Sequence, residues 1–396
     1  MTLSGVWRST GFRLVAVFLF AAIAIAARRW PQFVSPDVWV EDGTQVIPGF
    51  AKTGWAGLFV PVNGYLIVPA KLVSYLSLML SFDNYAFVST VVAVCVQAAV
   101  VAAIAVAPTI LALPVLAALL VPILPVGSEV YALPLYTFWW TTLLLFTGLF
   151  WRDRKYLGWR LAVIIIGGLS SPFVVAAWPI FALRAFFERT RDNLIALGTA
   201  IVLAAIQGSL MVREHANGVT PLDALHHIPT LISKYFGTPL YSLGQHGAGP
   251  WGLAVVIFLG LAILALPRER RLVYVMLALC LGAALITSIS RVPVEAPHPI
   301  LAGPRYFFFP LILTGWMLLM LAQEAHRYAA AVAILIAGAY VPSLANAFTF
   351  EPQVPKEPWS DQVAACVASE EDYTFDIQYG LPQIQWPSKM LGAECR

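Results

Sequence analysis

The chain has 396 residues, 60% of them hydrophobic and only 11% charged, with a formal net charge of +3 and a mean hydropathy of +0.78. A soluble globular domain carries about 25% charged residues, so that class is excluded. The small net charge, with basic residues in short clusters, leaves no footprint for nucleic acid; the relevant ruler is the bilayer, at about 20 apolar residues per crossing.

Arg8 and Arg13 precede the first apolar run, 14–29, in the manner of a signal peptide. Ala26-Ala27-Arg28-Arg29-Trp30 is a poor cleavage context, however, and further runs follow, so 14–29 reads as a retained span. The segment 30–84 comes next. It holds Asp37, Glu41 and Asp42, three of the chain's 21 acidic residues. Carboxylates at the mouth of a membrane-embedded protein cost free energy unless something compensates or uses them. Ser35 reads as a helix N-cap, with Pro36 at the first helical position and Asp37 at the positive helix end. If that helix continues, Glu41 falls one turn beyond Asp37 on the same face, with Asp42 about 100° around. Adjacent acids in a solvated loop are common. A carboxylate whose pKa is raised by partial burial also makes a general base for an incoming hydroxyl. Beyond Gly64-Tyr65-Leu66, the stretch to residue 82 carries Pro69 and Lys71 in its first part, which suits an interfacial helix better than a span.

Runs at 85–106, 109–126, 135–150, 161–170, 172–187, 193–211, 251–267, 271–290, 306–322 and 329–348 bring the expectation to about eleven transmembrane helices. The stretches 151–160, 184–192 and 267–271 carry four, three and three basic residues and are expected on the cytoplasmic face. Parity then makes 161–187 enter and return as two short helices meeting at Gly167–Pro172. Such breaks are tolerated where they line a protected cavity. Gly127-Ser128-Glu129 turns at the outer face and leaves Glu129 near the membrane, with Tyr136, Phe138, Trp139 and Trp140 following. An interfacial aromatic belt accounts for these rings; a stacking platform for a sugar or prenyl chain is the functional alternative. Gly303-Pro304-Arg305-Tyr306 places Arg305 where an outer loop enters an apolar helix. It can snorkel to headgroups or grip a phosphate with its planar fork. Arg291, His298, His226, His227 and His246 are further outer-face candidates for an anionic head. No glycine-rich phosphate loop follows a strand, so any sugar donor must come dissolved in the membrane as a lipid phosphate. From about residue 350 the composition turns rich in Glu, Asp, Gln and Pro. This tail holds Cys366 and Cys395, expected to bridge in an oxidising compartment; Cys95 and Cys280 lie in apolar runs.

Together these elements resemble the GT-C class of polytopic glycosyltransferases. The resemblance is carried by Val38-Trp39-Val40-Glu41-Asp42-Gly43, by Gly64-Tyr65-Leu66 with Lys71, by Gly127-Ser128-Glu129, by Leu169-Ser170-Ser171-Pro172 and by Gly303-Pro304-Arg305-Tyr306. These are spread over most of the chain, and each alone is short and degenerate. The resemblance implies an all-α integral membrane protein, with interfacial helices in a catalytic outer loop 30–84 of a membrane domain 1–349 and a small extracytoplasmic tail 350–396. It implies a place in a bacterial cytoplasmic membrane, with the active site facing outside. It further implies inverting transfer of a hexosyl or pentosyl unit from a polyprenyl-phosphate donor to a hydroxyl of a glycan, lipid or protein acceptor. Asp42 or Glu41 would be the base, and Arg305, Lys71 and Arg291 would hold the donor phosphate. Asp37, Tyr65, Glu129, Trp139, Trp140, His298 and Tyr306 would line the substrate site. Some members of the class need a divalent cation; here magnesium or manganese would fall to Glu41 and Asp42. The adjacent Glu41-Asp42 departs from the class's usual acids, which have one residue between them, and the large soluble C-terminal domain of some members is replaced by the tail. Two other functions compete. An O-antigen polymerase or ligase relies on paired arginines in a large outer loop, whereas 212–250 has one Arg and one Lys. A lipid or polysaccharide transporter (a flippase) needs ionisable residues along the bundle interior, and the mid-span positions are almost free of them.

Overall fold

The apolar runs fold as helices in a computed structural model that describes residues 10–152, 154–213, 227–237, 248–289, 292, 296–300, 303–323, 327–349, 357–369, 373–377 and 388–391. Arg291, His226, His246 and Cys395 lie outside the described residues. The long helices are α1 (Thr10–Arg28), α5 (Tyr85–Val106), α10 (Arg191–Arg213), α13 (Arg268–Ile289) and α14 (Arg305–Gln323). Short α2 (Pro31–Val34) and α3 (Ile47–Thr53) and the longer α4 (Val68–Leu80) lie between α1 and α5. Between α5 and α10 come α6 (Pro114–Leu120), α7 (Thr137–Leu149), α8 (Leu157–Gly168) and α9 (Phe173–Glu188). The remaining helices are α11 (Ile228–Ile232), α12 (Ala248–Ala265), α15 (Arg327–Ala339), α16 (Val341–Thr349) and α17 (Trp359–Ala368). Six described helical stretches are long and apolar enough to cross a membrane: α1, α5, Arg191–Val212, Arg270–Ser288, α14 and Ala330–Phe348. The other apolar helices are shorter.

Two expectations change. The run 109–126 forms only α6 and a 3-10 turn, Val121–Ile123. Prolines at 108, 114 and 122 explain this, because each removes a backbone donor and restricts the residue before it; Leu113, just before Pro114, is left-handed with φ 50°. The tail adds β-structure to the otherwise helical chain, since β1 (Thr374–Ile377) pairs antiparallel with β2 (Ser388–Leu391).

Helix α4 has 13 residues, about 20 Å of helix against a hydrocarbon core of about 30 Å. Its inner face holds Lys71, Ser74 and Ser77, all buried, and its outer face holds Leu72, Leu76, Met79 and Leu80, all exposed. A helix that turns its polar stripe inward and its apolar stripe outward is suited to a lipid surround rather than water. The packing pairs α1 with α5, α7 with α8, α9 with α10, and α14 with both α13 and α15. Trp316 on α14 is buried and donates its indole N–H to the Ala117 carbonyl (2.9 Å).

The connections sort to two ends. At one end two of the basic stretches meet on the C-terminal turn of α7. Arg160 donates to the Gly148 carbonyl (3.0 Å) and to Asn193 Oδ1 (2.8 Å), and Arg184 donates to the Leu149 carbonyl and to Glu188 (2.8 Å). Cations are favoured there by the helix dipole. At the opposite end, segments 30–67, 124–136, 169–173 and 303–306 meet around one cavity.

Candidate functional site

The acids sit on a distorted turn. Ser35 does not cap a helix start: it ends α2, with its backbone N–H donating to the Pro31 carbonyl (2.8 Å). Residues 36–38 have no regular structure, and helical structure resumes only at Val40. Asp37 therefore precedes the helix, does not share a face with Glu41, and offers its backbone carbonyl to Gln32 (2.5 Å). Asp42–Val46 forms a π-turn that leads into α3. Neighbouring residues on a helical turn do not face each other, and Glu41 and Asp42 have separate surroundings.

Asp42 points into the protein and is 1% exposed. Its Oδ1 accepts from Ser74 Oγ (2.9 Å) and Tyr85 OH (3.5 Å), and its Oδ2 accepts from the Leu135 backbone N–H (3.4 Å). Burial pushes its pKa up to about 7 against the pull of these donors. Glu41 points the other way, into a cavity of about 450 Å³. Its Oε1 accepts from Tyr136 OH (3.4 Å), and its Oε2 is buried without a hydrogen-bond partner. Burial raises its pKa, with Arg305 opposing that shift.

Across the cavity, Gly303 with φ +59° and Pro304 turn the chain into α14, so that Arg305 opens the helix at the cavity wall. Its guanidinium donates to Tyr136 OH (2.6 Å) and is ion-paired with Glu129 Oε1. Tyr136 OH also lies 3.2 Å from Glu129 Oε1. One hydroxyl thus links Glu41, Glu129 and Arg305. Tyr65, Phe138, Trp139, Tyr306 and Phe309 supply aromatic wall, and the Ser171-Pro172 break between α8 and α9 lines the same space. Tyr65 is carried there by a tight turn. Asn63 (φ 50°) and Gly64 (φ 83°) are both left-handed and Val62 bridges to Tyr65, the pattern expected for Asn-Gly in a type I′ turn.

The other expected residues fall elsewhere. Lys71 does not line the cavity; the residue is 3% exposed and its ammonium donates to the carbonyls of Gly57 (2.8 Å) and Val60 (2.6 Å). Burial lowers its pKa to about 8. It ties α4 to the segment 57–60. Trp140 is fully buried, donates to the Val130 carbonyl (2.7 Å) and packs on Tyr131 and Phe308. Glu129 reaches the cavity through Arg305 and Tyr136 rather than as lining. His298 is half-buried outside the cavity wall; its Nδ1 accepts from the Ile300 N–H (3.2 Å), and burial, with Lys234 nearby, lowers its pKa. Cys366 is disulfide-bonded; its expected partner Cys395 lies outside the described residues.

The roles of four residues escaped the sequence reading. Tyr136 is legible there only as one ring of an aromatic belt, and nothing in that pattern marks its hydroxyl as the hub. Gln207, a lone amide in an apolar run, is buried on α10. It accepts from the Leu66 N–H (2.9 Å) and donates to the carbonyls of Leu66 and Gly168 (both 3.0 Å). That clamp fixes the Tyr65 turn against the α8 end. Arg28 and Arg29, legible only as a poor cleavage context, hold the loop that carries Glu129. Arg28 donates to the carbonyls of Leu124 (2.5 Å) and Val126, and Arg29 to that of Ser128 (3.3 Å).

The donor set does not fit a protein-held magnesium or manganese ion. Such ions want several oxygen ligands converging on one point, but Asp42 spends its oxygens on Ser74, Tyr85 and Leu135 while Glu41 points away from it. Among the described residues no group of three His, Cys, Asp or Glu side chains converges. The cavity instead offers a base of raised pKa, a fixed guanidinium and apolar ring faces. Compared with protein-family models, curated proteins and solved structures, the chain matches none.

Proposed function

We propose that this protein is a GT-C-type inverting glycosyltransferase of a bacterial cytoplasmic membrane. It moves a sugar from a polyprenyl-phosphate donor to a hydroxyl of a glycan, lipid or protein acceptor, with about eleven crossings and the cavity on the extracytoplasmic side. The observation that carries this reading is the meeting of Glu41 and Arg305 in one aromatic-walled cavity, linked through Tyr136 OH. Such walls suit sugar rings, and a cavity of about 450 Å³ lies within the usual range for small-molecule sites, roughly 300–1,000 Å³.

In this mechanism Glu41, rather than Asp42, takes the proton from the acceptor hydroxyl. The freed oxygen attacks the anomeric carbon from the face opposite the lipid phosphate, so the anomeric centre inverts. The bond from that carbon to the phosphate oxygen breaks, and its electron pair leaves on the phosphate. Arg305 meets the developing charge, which a preorganised donor stabilises more in a buried site than in water. Glu129 holds Arg305 before the donor arrives, so the phosphate must share or displace that carboxylate. Transfer requires ionised Glu41, and activity should therefore rise with pH through its raised pKa.

Turnover tests the reading directly, in proteoliposomes supplied with a set of polyprenyl-phosphate monosaccharides. Loss of a general base typically costs about 10²–10⁴ in rate, and that loss is expected for Glu41→Gln. Asp42→Asn should retain activity within about tenfold, since Asp42 does not line the cavity. Full turnover in Glu41→Gln would remove the mechanism.

A further inference from the structure

The C-terminal tail packs against the turn that carries both acids. Val38 and Ile47 flank that turn on either side, and both are buried in one cluster with Trp359, Val363, Cys366, Phe375 and Ile377 of the tail. Gly43, in the middle of the turn, lies directly under Ile377: a methyl added there would overlap Ile377 Cδ1 and sit 3.1 Å from Cγ2. Trp359 stacks on Phe375 (centroids 4.6 Å apart) and donates its indole N–H to the Phe82 carbonyl (3.0 Å), beside Tyr85, the residue that bonds Asp42. Gln362 on α17 accepts from the Asp376 N–H (2.8 Å), which fixes strand β1 to the helix. The turn is thus held at both ends and at its centre by residues more than 300 positions away.

We propose that the tail is a positioning element for the acidic turn, and that Ile377, seated on Gly43, is the contact through which it fixes the direction of Glu41. The physical case is packing. A π-turn is rare, occurs mostly as a single turn within helical structure, and persists where its surroundings determine it. Interiors at crystal-like density transmit small displacements, and a misplacement of about 1 Å at a reacting group can cost about 10²-fold in rate. A glycine at 43 allows the hairpin to close onto the turn backbone. The assignment of a role to Glu41 rests on the transferase reading; the mechanical coupling of tail to turn does not.

The experiment measures hydrogen–deuterium exchange on the full-length protein in detergent and, in parallel, turnover with the polyprenyl-phosphate monosaccharides. Exchange reports local opening. Ile377→Ala should raise exchange of residues 39–46 at least tenfold while α7 and α14 stay as in the wild type. Gly43→Ala should do the same through overlap, and the double variant Gly43→Ala/Ile377→Ala should exchange more slowly than Gly43→Ala alone, since the shortened side chain makes room. Non-additivity of this kind marks direct coupling. Where turnover is seen, kcat should fall at least tenfold in Ile377→Ala with the donor KM within twofold, because the Arg305 wall is untouched. If Ile377→Ala fails to fold, Ile377→Val, which lacks only the Cδ1 methyl, should give a smaller rise confined to 39–46. Unchanged exchange at 39–46 in both Ile377 variants, or strict additivity in the double variant, would overturn the proposal. Exchange that rises as expected in a protein without turnover would leave the tail coupling standing and count against the transferase reading alone.

Discussion

Glu41 and Asp42 are neighbours in the chain and opposites in environment. The sequence identifies the acidic cluster as costly and therefore interesting, but it cannot divide the labour, because the division depends on where helical structure begins. Pro36 suggests a helix start at 36; the chain has no regular structure through Val38 and becomes helical only at Val40. Asp37 is thereby separated from Glu41, and Asp42 is turned inward onto Ser74 and Tyr85. The buried carboxyl of Asp42 has a pH signature. Its folded pKa, about 7, lies above that of an unfolded aspartate, about 3.9, so the folded state binds the proton more tightly. That contribution to stability is present in full below the unfolded value and is lost as pH rises through the folded one. Wild-type thermal stability in detergent should therefore decline between about pH 4 and pH 7, and Asp42→Asn should decline less. Identical slopes for the two proteins would show that Asp42 is ionised in the fold. At Arg305 the question left by the sequence was snorkelling or grip. Its guanidinium points to Tyr136 and Glu129 at the cavity wall. Losing a charged hydrogen bond costs about 1.5–3 kcal/mol, roughly tenfold to a hundredfold in rate if felt at the transition state. Arg305→Lys should lose about that much turnover and Arg305→Ala more; normal turnover in Arg305→Ala would remove its role.

At the scale of elements, a helix too short to span within 64–82 and the short pair α8 and α9 were legible because proline, lysine and the charge bias of the loops constrain them. The same reasoning overextended the run 109–126, where hydropathy is high but Pro108 just before it and Pro114 and Pro122 within it break the helix. What sequence could not supply is the joinery. Gln207 looks like a tolerated polar residue in an apolar run, yet its amide satisfies three backbone groups and holds the Tyr65 turn to the end of α8. An orphaned buried polar group costs about 1–3 kcal/mol. Gln207→Leu strands several, so it should lower stability by at least that amount, read as a reduced melting temperature in detergent. An unchanged melting temperature would mean that water replaces the amide and that the clamp is not structural. The tail was visible in sequence as a change of composition with two cysteines. Its docking on residues 38–47 was not, because contacts separated by more than 300 positions leave no periodic trace.

On the scale of the whole molecule, segments 30–67, 124–136, 169–173 and 303–306 come together around one cavity, and Arg160 and Arg184, from two of the basic stretches, come together at the opposite end. Such sorting suits a protein that works on one side of a bilayer: apolar helices meet lipid, a polar site is walled off at one end, and broken helices stay within protein. The central claim is that a lipid-linked sugar phosphate enters this cavity with its phosphate toward Arg305 and its sugar toward Glu41. The measurement that tests it most directly is a structure of the Glu41→Gln protein with a polyprenyl-phosphate monosaccharide bound, the substitution serving to stop turnover. The account predicts the phosphate oxygens within hydrogen-bond distance of the Arg305 guanidinium, the sugar ring against Tyr65, Trp139 or Tyr306, and the anomeric carbon open toward residue 41. A lipid phosphate bound away from Arg305, or a sugar held near the bilayer midplane between the spans, would contradict it.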